Sequence, residues 1–151
     1  MSRRSALLLV LSVLAALSWG CGSERPHAET EHELRSESTD EQSGVGVTLS
    51  VDRERITTVD RIGVRIEVVR PAGSGVTWDE PAWAESGWDR VGRVDHPPAA
   101  LPDGRIRERA EIVLEPFLDG DYTVPPVVVA IGDRRIATAG LTVPVLSVLE
   151  D

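Results

Sequence analysis

Cys21 is the only cysteine in this 151-residue chain, and it follows an apolar run. A lone thiol excludes a disulfide within the chain and leaves two chemistries, attachment of a lipid or a free reactive group. The histidines are the next candidates. His27 and His32 lie among Glu24, Glu29, Glu31 and Glu33, and imidazole with carboxylate can bind zinc or copper. Such sites need a folded scaffold, which this polar stretch does not predict, so it reads as solvated chain. His96 in "VDHPPAALPDG" has Asp95 beside it but no nucleophile motif, and it reads as an exposed loop histidine. Asp119 and Asp121 flank Gly120 and could offer calcium ligands, yet "DGD" is too short for a calcium loop and suits a turn. The expectation is a protein without catalytic residues, metal site or cofactor.

The richest cluster is "TWDEPAWAESGWD", which puts Trp78, Trp83 and Trp88 within eleven residues. Tryptophans so grouped can stack on sugar rings or grip a protein, and Asp79, Glu80, Glu85 and Asp89 could add hydrogen bonds. The competing reading is that they close a hydrophobic core. Strand-like surroundings favour the core for Trp78 and Trp88. Trp83, between proline and acids in an expected loop, is the surface candidate.

The elements that position these residues fall into three parts. Residues 1–20 have a basic start (Arg3, Arg4), an apolar run from Ala6 to Leu17 and small or aromatic residues before Cys21, the pattern of an export signal. The run is shorter than the ~20 apolar residues a spanning helix needs. Residues 21–44 hold Leu34 as their only large apolar side chain besides Cys21, and predict a disordered acidic tether spanning roughly 25–30 Å. Residues 45–151 are the folded domain. The chain carries a net charge of −9, and its first 21 residues contribute two arginines and no acid, so the rest is more acidic still. Such a balance argues against nucleic acid as a partner. There is no lysine, as expected of a GC-rich genome, and no asparagine, so no N-glycosylation site exists.

In the domain apolar residues recur at period two. Val47, Leu49 and Val51 alternate with polar neighbours, as do Ile62, Val64, Ile66 and Val68, then Ala110, Ile112 and Leu114. "VTW", "WDRVGRV", "YTV", "PVVVAIG", "RRIATA" and "LTVPVLSVL" supply further strands. Asp103-Gly104 and Gly132-Asp133 mark hairpin turns. Prolines 125, 126 and 144 lack an amide donor and belong at strand starts or edges. No stretch has the 3.6 period of a substantial helix. The fold class is all-β, an antiparallel immunoglobulin-like β-sandwich of about seven to eight strands. Within it "PFLDGDYTVPP" pairs a turn at Gly120 with Tyr122, the only tyrosine, in the manner of a tyrosine corner.

Two resemblances bear on function. Gly20-Cys21 resembles the lipobox of bacterial lipoprotein precursors, in which the cysteine is acylated and becomes the new N-terminus. Leu17 stands one place early for that pattern, and Ala16-Leu17-Ser18 also has the small-x-small form of an ordinary signal peptidase site, which would leave a soluble chain with a free thiol. Lipidation implies a membrane-anchored protein of the cell envelope, facing the periplasm. Gly22, where an aspartate would favour retention, implies the outer membrane. The domain itself is similar to the immunoglobulin-like repeats of the BatD family, envelope proteins named for aerotolerance. The likeness lies in "VTLSVDRERITTVDRIGVRIEVV" and in "LEPFLDGDYTVPPVVVAIGDRRIATAGLTVPVLSVL". BatD proteins carry several such repeats and a C-terminal membrane helix, and this chain has one repeat. The resemblance implies a non-enzymatic module that binds other envelope proteins, with von Willebrand A-type proteins and MoxR-type ATPases as the family's associates. The alternative is a carbohydrate-binding module that sets its tryptophans on cell-wall or surface glycan.

Overall fold

The structure, a computed structural model, describes residues 33–149. The export signal, Cys21, His27 and His32 lie outside the described residues. Alternating apolar residues build a five-stranded sheet from β1 (Leu34–Asp40), β2 (Val45–Val51), β4 (Ile62–Arg70), β7 (Ile106–Pro116) and β6 (Trp88–Ala100), in that order across the sheet. Two three-stranded sheets complete the fold. One orders β10 (Arg134–Ala137), β9 (Val128–Ile131) and β5 (Val76–Trp78). The other orders β3 (Ile56–Thr57), β11 (Leu141–Leu146) and β8 (Gly120–Val124).

The period-two residues share one face of the large sheet. Leu49 lies opposite Ile66, and Ile66 opposite Ala110; Val51, Val64 and Ile112 form the next such row. All of these except Ala110 join Ile56, Val124, Val129, Val143 and Val145 from the small sheets in a single buried cluster. Each aliphatic side chain so buried contributes about 1.5–3 kcal/mol. The fold is the all-β, immunoglobulin-like sandwich expected from the sequence. The only helical element among the described residues is a 3-10 turn over Trp83–Ser86. No described helix is long and apolar enough to cross a membrane.

Eleven strands form where about eight were expected, and two are new. β3 is a two-residue bridge parallel to β11, the one parallel pairing among the described residues. β1 corrects the tether: the expected disordered stretch ran to Gly44, but Leu34–Asp40 pairs with β2 over seven positions, from Leu34 opposite Val51 to Asp40 opposite Val45. Its inward positions, apart from Leu34, are Ser36, Ser38 and Asp40, which give no apolar alternation. Polar contacts hold it instead. Ser36 Oγ accepts the Ala139 N–H at 2.8 Å, and Asp40 pairs with Arg134 at 2.9 Å.

Proline placement follows the missing donor with one difference. Pro144 lies inside β11, the middle strand of its sheet, rather than at an edge. Because β3 reaches only Val145 and Leu146, Pro144 has a strand partner on the β8 side alone, opposite Asp121. Pro97 and Pro98 fall where β6, an edge of the large sheet, slips register between His96 and Ala99. Both arrangements spare the ladder a lost donor.

Candidate functional site

The tryptophan segment crosses from β5 to β6. After Trp78 the chain runs through Asp79–Ala82 into the 3-10 turn, which ends at Gly87 with φ of +82°. This left-handed residue turns the chain into Trp88. Trp88 is 1% exposed and its Nε1–H donates to the Thr123 carbonyl at 3.0 Å. Trp83, expected at the surface, is 5% exposed and its Nε1–H donates to Glu80. Trp78, expected in the core, is only half-buried at its margin; its Nε1–H points to Glu108 at 3.4 Å, and the Arg93 guanidinium lies 5.9 Å from its ring centre. The three indoles therefore form no open platform. Two close the sandwich, because the turn at Gly87 folds the segment back over the inner face of β6.

That inner face explains the surrounding charge. Beyond Trp88, the β6 residues opposite Leu114, Ile112 and Ala110 are Arg90, Arg93 and Asp95. Charges pointing inward along an edge strand discourage pairing with another chain. Glu80 neutralises the two arginines: it accepts from Arg90 at 3.2 Å and also from Arg93, while Trp83 completes the set. Asp95 clamps the other side of Arg93 at 2.8 Å. The Asp95 and Glu80 hydrogen bonds hold the Arg93 guanidinium more firmly protonated than usual, and the Arg93 hydrogen bond keeps the Asp95 carboxyl below its ordinary range. Arg70 joins the cluster through Glu108 at 2.9 Å.

The outer face of the large sheet is the second candidate. Cross-strand neighbours there run Arg35, Ser50, Arg65, Glu111, Val94, and in the adjacent row Glu37, Thr48, Glu67, Arg109, His96. Arg109 pairs with Glu67 at 3.0 Å; Arg65 and His96 both approach Glu111 at 3.4 Å. Burial pushes the Glu111 carboxyl up, but His96 and Arg65 outweigh it and the carboxyl sits below its usual value. Beside these rows lies a concavity of about 430 Å³, lined by Glu33, Ser50, Asp52, Gly63, Arg65 and Glu111 among others. At Gly63 a Cβ would come within 2.8 Å of the Asp52 carboxylate that takes its N–H, so a larger residue there would have to displace that side chain.

The remaining candidates are placed as follows. His96 faces Glu111, while Asp95 is committed to Arg93, so the two do not act as a pair. Asp119 and Asp121 lie at the start of β8, and among the described residues no three His, Cys, Asp or Glu side chains are grouped to hold a metal. Tyr122 Oη accepts the Leu118 N–H at 3.0 Å, closing the turn whose Gly120 has φ of +137°. Of the hubs of this cluster, Glu80 was among the acids expected to supply hydrogen bonds, whereas Arg93 was missed, because an arginine in strand-like sequence beyond the tryptophans carries no periodic signal.

The chain matches no family model, no curated protein and no solved structure.

Proposed function

We propose that this protein is an exported, lipid-anchored β-sandwich of the cell envelope that performs no catalysis and binds another envelope protein through the outer face of its five-stranded sheet. The observation that carries the reading is the concavity beside two rows of alternating charge. Acids and arginines interleaved at strand spacing complement a polypeptide of mixed charge, whereas a polyanion would meet Glu37, Glu67 and Glu111 as repulsion. The similarity to BatD repeats supports the same class of partner. The glycan alternative rests on exposed aromatic rings, and Trp78 alone retains a partly open ring among the described tryptophans.

The test is photocrosslinking in a diderm host with a benzophenone amino acid at Glu37, exposed on this face, and, as control, at Asp103. A protein adduct of discrete mass from position 37, absent from 103 and lost in Arg65→Glu, supports the reading. Its absence, together with quenching of tryptophan fluorescence by a glycan and loss of that quenching in Trp78→Ala, would replace it with the carbohydrate module. Intact mass and detergent partitioning of the wild type beside Cys21→Ser test the anchor separately. Acylated mass and detergent-phase partitioning, both lost in the variant, are expected.

A further inference from the structure

Strand directions gather distant parts of the chain at one end of the sandwich. Leu34, at the start of β1, lies opposite Val51, and β2 leaves the sheet there into residues 52–61. Ile62 pairs with Leu114, so the loop 117–119 after β7 emerges at the same end. Val145 lies between Ile56 and Gly120, which brings residues 147–149 beside both loops. The Thr58 N–H donates to the Leu146 carbonyl at 3.0 Å, tying residues 58 and 146 together.

This end carries six of the nine large apolar side chains exposed among the described residues. Val59 is 75% exposed, Phe117 71%, Leu118 70% and Leu149 88%, with Leu146 and Val148 beside them. Single exposed apolar residues need no explanation, but a group on adjacent loops marks a contact surface. Phe117 is the only phenylalanine of the chain. The loop that presents it is held in shape by the Leu118 N–H on Tyr122 Oη.

The chain preceding the structure joins the domain at this same end, through Glu33. With β1 taken into the sheet, only residues 22–32 separate Cys21 from the described residues. That length extends at most to about 40 Å, short enough to keep the end it joins near the anchor.

We infer that this end of the sandwich docks on the lipid surface in which Cys21 is anchored, with Phe117, Leu118 and Leu149 as the residues that reach the interfacial zone; the inference rests on the lipid-anchor reading above. The contact is apolar, not electrostatic. Both signs of charge surround it, with Arg53, Arg55 and Arg61 near Glu54, Asp60 and Asp119. Since two or more acyl chains already bind firmly, the loops determine orientation and leave retention to the anchor. Docked in this way, the domain would point its β6–β7 turn at Gly104 away from the membrane.

The test uses the mature full-length lipoprotein in phosphatidylethanolamine–phosphatidylglycerol vesicles. Acylation of Cys21 leaves a Leu118→Cys thiol free for an environment-sensitive fluorophore; Asp103→Cys, in the turn at the opposite end, is the control. Lipids bearing a shallow nitroxide are expected to quench the label at 118 at least threefold more than that at 103. The difference should survive 0.5 M salt and shrink in a Phe117→Ser, Leu149→Ser background. Acylated protein with equal quenching at both positions would overturn the docking and leave the anchor standing. An unmodified Cys21 by intact mass would overturn both. A blue-shifted label at 118 that lipid nitroxides do not quench would give this end to a protein partner or a second copy, and the lipid assignment would fall.

Discussion

The rings of Trp88 and Tyr122 meet with centroids 4.8 Å apart and planes inclined at 56°. Gly87 makes room for that pair, since a Cβ on it would lie 3.1 Å from Tyr122 Cε1, at a φ of +82° that side chains disfavour. Gly87→Ala therefore combines strain with overlap. Gly104 has a comparable φ of +85° with nothing within 4 Å, so Gly104→Ala carries strain alone. Left-handed backbone costs an alanine roughly 1–2 kcal/mol, and overpacking about 1–3 kcal/mol more. Urea unfolding followed by tryptophan fluorescence should place Gly87→Ala well below Gly104→Ala; equal midpoints would remove the ring pair from the argument.

Removing Glu80 should loosen the inner cluster. Glu80→Ala leaves the buried Trp83 N–H without its acceptor, while Arg90, 46% exposed, turns to water. A buried donor left unsatisfied costs about 1–3 kcal/mol, and more when charge is involved. Arg93 keeps Asp95 and should stay in place over Trp78. The expected result is a lower urea midpoint and a red-shifted emission from Trp83, with Glu80→Gln intermediate because its amide oxygen still accepts. An unchanged spectrum would mean that Trp83 does not depend on this carboxylate.

The parts of the fold that were legible are those stabilised by apolar burial. Ile62, Val64, Ile66 and Val68 announce β4 because alternate side chains must leave water together, and the same physics marks β2 and β7. β1 was invisible for the opposite reason: its strand is held by main-chain pairing and by Ser36 and Asp40, residues that a disordered tether would also contain. Trp83 was misplaced because its neighbours Glu80, Glu85 and Pro81 look like loop, and nothing local tells that Gly87 folds the loop onto β6. The apolar end around Phe117 is likewise a product of topology, since Val59, Phe117 and Leu149 are far apart in sequence.

Acid should destabilise the domain through carboxylates that the fold keeps ionised. Asp60 accepts from the Thr57 hydroxyl at 2.7 Å and from the Thr57 N–H at 2.9 Å, which holds its carboxyl below the usual 3.8. Asp40 is lowered by Ser43 and Arg134, despite opposing burial, and Asp103 by the Arg105 amide and guanidinium. A carboxyl whose folded pKa lies below its unfolded value stabilises the fold fully above the unfolded value. That contribution is lost as pH falls through the folded one. The urea midpoint should therefore be level near neutrality and drop from about pH 4 downward. In Asp60→Asn the drop should be shallower, because one linked proton has been removed; an acid limb identical to wild type would exclude Asp60 from the linkage.

The boundary between tether and domain can be tested with trypsin, because Arg35 stands within β1, opposite Ser50. A protease must draw several residues of extended chain into its cleft, which a strand paired on the sheet cannot supply without local opening. Leu34 packs against the core cluster, and Asp40 with Arg134 pins the far end of the strand. Cleavage after Arg35 should accordingly be slow under native conditions. Arg134→Ala should speed it roughly two- to fivefold, the effect of losing an exposed pair worth up to about 1 kcal/mol when cleavage follows local opening. Ser36→Pro, which removes a backbone donor and distorts the strand, should speed it far more while the apolar residues of β2, β4 and β7 keep the rest folded. Rapid wild-type cleavage after Arg35, leaving a stable product that begins at Ser36, would return β1 to the tether. Phe117 and Leu118 would then sit farther from the anchor than a chain of eleven residues allows, so this digest also bears on whether the apolar end meets the membrane.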